Sequence, residues 1–141
     1  MVSVGIHPSD EQIALYNELK IEKKHRYLVF NLNKERNAIL TAQVGERDKT
    51  LKDLEEFLTK TLDCYYVIYD FEYQTFENPP RDTSKLIMIN YAPDNAPIKT
   101  KVPFTSTRAD IKASFVGIQK DIQTSDNSLL DHEELRKECC N

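Results

Sequence analysis

The side chains that could act on a substrate are few. Cys64 could serve as a nucleophile if a base took its proton and donors held an oxyanion. It opens an apolar run, CYYVIY, where a cysteine behaves as a small hydrophobe, so a core position is expected. Asp70 and Glu72 alternate along the same run and share one face, about 7 Å apart. Such a pair suits acid–base work, but no other site feature accompanies it, and a solvated or salt-bridged strand face is the better reading. His7, His25 and His132 lack a histidine four residues away and a cysteine at zinc spacing, so they read as surface histidines. With three glycines the chain has neither of the common phosphate-cradling loops. No catalytic residue, metal or cofactor is expected. The rival from the enzyme class is a thiol enzyme or small hydrolase centred on Cys64.

Recognition chemistry is better represented. Lys99, Lys101, Arg108 and Lys112 stand against one acid, Asp110, between Pro97 and Phe115. In a chain of net charge −4 this reverses the local sign. Charge alone leaves two readings, an interface for an acidic partner and a solvated helix face. Thr107 followed by Asp110 is a capping-box pattern, which predicts a helix start there. Ile111, Phe115 and Ile118 then form an apolar stripe, and Gly117 supplies a stop. Arg108 and Lys112 lie on another face. The expected helix is held by one side and offers its first turn and two cations outward.

The elements around this stretch follow from pattern. Residues 1–8 have no periodicity and read as a flexible arm. Ser9 caps a helix running to about Lys20. Tyr27 to Leu32 and Ala38 to Val44 are strands joined by a polar hairpin turn. Thr50 with Asp53 opens a second helix, striped by Leu51, Leu54, Leu58 and Leu62. Tyr65 to Tyr73 and Leu86 to Tyr91 read as the most buried strands, with the Pro79-Pro80 loop between them. Lys120 to Thr124 is a short fifth strand. Residues 128–141 are a last helix and tail, polar almost all round, starting at Ser128 or Asp131. The order predicts an α/β or α+β fold.

Bulk numbers bound the rest. The 141 residues suffice for one domain with its own core, and 40% hydrophobic with 30% charged residues describe a soluble globular protein. A pI near 5.4 argues against general nucleic-acid binding. Cys64, Cys139 and Cys140 form no disulfide framework and read as free thiols of a reducing cytosol. No signal peptide or transmembrane segment is expected.

Four segments, in order, make a more specific pattern: NELKIEKKHRY-LVF, DCYYVIYDFEYQ, SKLIMINYAPD, and APDNAP-IK-x-K with F-x-S-T-R and ADIKASF-VGIQ. Together they resemble the ADF/cofilin family, from about Gly5 to Asp126. The resemblance implies the actin-depolymerising-factor homology fold, a central mixed five-stranded sheet sandwiched between helices. It also implies a cytoplasmic, cytoskeleton-associated monomer that binds actin monomers and filaments and promotes severing and depolymerisation. The alternative is a coactosin-like binder of filament sides without strong severing, or, further off, a glia-maturation-factor-like protein acting on the Arp2/3 complex.

Carried over residue by residue, the resemblance places monomer and filament contacts at Ser3, Gly5, Ile6, Lys99, Lys101, Arg108 and Lys112. Filament-only contacts fall at Lys85, with Arg81, Arg136 and Lys137. Four departures stand out. Val4 occupies the position of the family's usual phosphorylated serine, which leaves Ser3 as the nearest candidate. Val102-Pro103-Phe104 replaces Met-x-Tyr, and a proline there predicts a kinked or shortened helix. Lys112-Ala113 has one cation fewer than the usual pair. Lys23, Lys24 and Arg26 lack the compact basic run read as nuclear import and read as a solvated turn, with weak binding of anionic phosphoinositides as the minor reading.

Overall fold

A computed structural model describes residues 6–128 and 130–140, so Ser3, Val4 and Gly5 lie outside the described residues. The chain folds as α1 (Asp10–Asn17), a π-helical turn (Glu18–Glu22), β1 (His25–Leu32), β2 (Ile39–Glu46), α2 (Leu51–Leu58), β3 (Tyr65–Gln74), β4 (Asp82–Tyr91), α3 (Ile98–Ser114), β5 (Lys120–Thr124) and α4 (His132–Cys140). One five-stranded sheet runs in the order β2-β1-β3-β4-β5. Its pairs are antiparallel except the parallel β4 and β5, so the sheet is mixed as expected.

The central strands are buried on both faces, which is why they read as continuous apolar runs. Alternate residues separate two cores. Tyr27, Val29, Val67, Tyr69 and Ile89 face α2 and α4. Leu28, Phe30, Tyr66, Ile68 and Met88 face α1 and α3. Ile6 packs against this second core, so the described end of the segment expected to be a flexible arm is held to the fold. Gly45 sits where a Cβ would come within 2.6 Å of the Tyr27 ring, so a side chain there would displace that ring.

Local signals set most boundaries. Ser9 accepts from the Gln12 backbone while the Gln12 side chain returns to Ser9, and Thr50 and Asp53 do the same for α2. Leu51, Leu54 and Leu58 are buried as the stripe requires, but α2 ends there and Leu62 is exposed. β4 begins at Asp82, earlier than its apolar run, because β3 pairs with it from Gln74↔Asp82 onward. α4 is not polar all round, since Leu135 and Cys139 are buried in the first core.

The largest correction concerns α3. It starts at Ile98, not near Thr107, and runs unbroken through Pro103. Thr107 is a buried interior residue, because Phe104, Thr107 and Ile111 lie on the face that packs on the sheet. Phe104 stacks on Tyr66 at 4.1 Å, and Phe115 packs on Phe30 and Tyr16 just past the helix. This burial offsets the proline's cost of about 3 kcal/mol. Gly117, at φ +103, then turns the chain where a side chain would be strained.

Candidate binding faces

The first turn of α3 is built by its neighbours. Pro97 precedes it without a side-chain cap, and no acid occupies the first turn. Lys99 and Lys101 stand there instead, against the preference of a helix dipole for negative charge near its start. Lys101 Nζ donates to the Asp94 carbonyl at 2.7 Å, which holds it over the preceding loop. Arg36, from the β1–β2 turn, donates to Thr100 Oγ1 at 2.8 Å and to the Asn33 carbonyl at 2.8 Å. That clasp fixes the turn to the sheet. Arg36 carries no pattern in the sequence, since its partner is 64 residues away.

The outer side of α3 is the reverse of its buried face. Ile98 is 77% exposed and Val102 62%, one turn apart, and Thr105 and Ala109 continue the exposed row. Helical spacing with Ile98 at the start reveals this row only once the helix is known to begin nine residues before Thr107. Arg108 and Lys112 lie beside it over β5. Arg108 donates to Asp121 at 2.8 Å and to Gln123 Oε1 at 3.0 Å, and Lys112 lies 3.6 Å from the same Asp121 oxygen. So Lys99, Lys101, Arg108 and Lys112 share one helix, where the sequence pattern puts only Arg108 and Lys112 on it, and those two are already paired.

The residues expected to form a second face converge around α4. Lys85 Nζ donates to the Cys139 carbonyl at 2.7 Å, capping the end of that helix. Arg136 donates to the Gln74 carbonyl at 2.6 Å and lies 3.9 Å over the Phe76 ring. Both act first as latches. Arg81 and Lys137 are exposed, each paired among the described residues with a neighbour on its own segment, Glu77 and Glu134. A cleft of about 540 Å³ lies between these elements, lined by Phe76, Arg81, Lys85 and Cys140 among others.

The enzyme-like groups resolve otherwise. Asp70 is buried against Arg47 at 2.8 Å and Lys23 at 3.3 Å, and Glu72 meets Arg26 at 2.7 Å. Lys23 and Arg26 are therefore spent on a strand face. Cys64 is buried, and burial pushes its thiol up to about 11, so it is protonated at neutral pH. His25 meets Glu18 at 2.9 Å and His132 lies against Phe71. No three His, Cys, Asp or Glu side chains among the described residues could hold a metal ion. No helix among them is long and apolar enough to cross a membrane.

A mixed five-stranded sheet between helix layers, with a cation-flanked apolar row on its long helix, defines a small binding domain. A family model described as cofilin/tropomyosin-type actin-binding protein matches residues 5–140. Actophorin of Acanthamoeba castellanii is 38% identical over 122 residues, covering 86% of each chain. Cofilin of Schizosaccharomyces pombe is 37% identical over 131 residues, 92% of this chain and 90% of that one. The crystal structure of Streptomyces griseoflavus cofilin superposes with a TM-score of 0.78 at 29% identity, over 95% of this chain and 96% of that one. The chain belongs to the ADF/cofilin family of actin-binding proteins.

Proposed function

We propose that this protein binds actin monomers and filaments in the cytoplasm and promotes filament severing and subunit turnover. The observation that carries this reading is the outer row of α3. An isoleucine and a valine on successive turns stand exposed beside Lys99, with no described element of the fold to cover them. Burying what these two side chains still expose supplies about 2–4 kcal/mol, and flanking cations add orientation toward an acidic partner. Arg81 and Lys137, on the α4 side, supply a second contact to the next subunit of a filament. Two contacts that fit best in one subunit arrangement favour that arrangement over the relaxed filament, which lowers filament stability.

The test is filament number and length by microscopy after adding the protein, or its Val102→Asp variant, to preformed actin filaments. New filament ends with the unmodified protein, and about tenfold fewer with the variant at equal concentration, are expected. Bound but unbroken filaments would move the function to side binding. Equal severing by the variant would remove the α3 row from the interface.

A further inference from the structure

Asp121 stands at the junction of α3 and the edge strand β5, and its carboxylate is shared among three side chains. One oxygen accepts from Arg108 at 2.8 Å, with Lys112 at 3.6 Å. The other accepts from Asn90 Nδ2 at 2.6 Å, and the same Asn90 nitrogen donates to the Ile122 carbonyl at 3.1 Å. Asn90 is fully buried on β4, so the carboxylate is anchored from below by a group that is itself fixed. Gln123, two residues along β5, takes the second end of the Arg108 fork at 3.0 Å. Arg108 is thereby stretched across β5 with its side chain still 27% exposed, and Lys112 is 47% exposed.

We infer that Asp121 is a positioning residue for actin binding, acting through Arg108 and Lys112. This rests on the reading of the α3 face given above. Long cations lose rotamer freedom when they meet a partner, which costs affinity. Arg108, held at two points by β5, meets the partner with that cost already met, and keeps unused N–H donors for an incoming carboxylate. Asp121 is itself an acid beside an interface for an acidic partner. Electrostatics alone would make it a hindrance, and its removal would tighten binding. Positioning makes the opposite prediction, so the sign of the effect decides.

The experiment measures affinity for labelled actin monomers with the unmodified protein, D121N, R108Q and the double variant, alongside each thermal midpoint. Asn at 121 keeps the volume, but its single oxygen can accept from Arg108 or from Asn90 and not from both, so the two-sided hold on Arg108 is lost. The expected result is a three- to tenfold weaker affinity for D121N at an unchanged midpoint. In the R108Q background the same change is expected to cost little more, because the effect passes through Arg108. Unchanged or tighter binding by D121N, or full additivity with R108Q, would overturn the inference. If D121N melts lower, R108K decides. A lysine keeps the charge but cannot bridge Asp121 and Gln123, so wild-type affinity in R108K would also overturn it. Absence of binding by the unmodified protein would instead overturn the reading on which it rests.

Discussion

Cys64 opens an apolar strand, and the strand's burial alone makes it a core atom with a thiol raised to about 11. Its role was legible because it depends on local pattern. Arg108 was legible as a surface cation but not as a paired one, since Asp121 and Gln123 reach it only through the packing of α3 on β5. The cysteines give a direct check. Cys140 is exposed while Cys64 and Cys139 are buried. A thiol reagent should therefore label one cysteine quickly in the native protein and the other two only on unfolding. Fast modification at Cys64 would mean an open site at the start of β3 and would revive the thiol-enzyme reading.

At the scale of elements, the Ser9 cap places the start of α1 and the Thr50 capping box with its leucine stripe places α2, because these signals are local. The same signal misplaced the start of α3, for Thr107 and Asp110 match the pattern inside a helix whose true start at Pro97 has no side-chain cap. Pro103 reinforced that error, and only the stacking of Phe104 on Tyr66 explains why the helix passes through it. α4 reads as a polar helix because just two of its positions, Leu135 and Cys139, reach the core. So little apolar anchoring makes its polar latches matter. Lys85→Ala removes a charged donor from the last carbonyls of α4 and should cost about 1–2 kcal/mol in urea unfolding. Filament binding should fall with it, while Lys137→Ala, on an exposed side chain, should change filament binding without changing stability. Unchanged stability in Lys85→Ala, with filament binding lost, would make Lys85 a direct contact and not a latch.

For the whole molecule, the mixed sheet was readable from element order only as α/β or α+β, and the family pattern supplied the topology. The tyrosines that fill both sides of that sheet set its pH limits. Burial pushes Tyr16, Tyr27 and Tyr69 up to about 12, and Tyr66 higher still. A group whose folded value is raised stabilises the fold fully below its unfolded value, about 10 for a phenol, and loses that contribution as pH rises through the folded one. On the acid side, a hydrogen bond from His25 to Glu18 and one from the Thr50 backbone to Asp53 hold these carboxyls low. Their contribution is complete above the ordinary carboxyl range, near 4, and disappears as pH falls through their lowered values. Stability should therefore be level between about pH 5 and pH 8. It falls below that range as the carboxyls protonate, and above it as first the raised Cys64 and Cys139 thiols and then the tyrosines withdraw their contributions. The alkaline limb is easily followed, because the chain has seven tyrosines and no tryptophan. Tyrosinate absorbance should rise in one cooperative step above pH 10, together with loss of the far-ultraviolet circular dichroism. A graded rise near the ordinary phenol range, with the dichroism intact, would mean that water reaches these rings and that the two cores are looser than their packing implies.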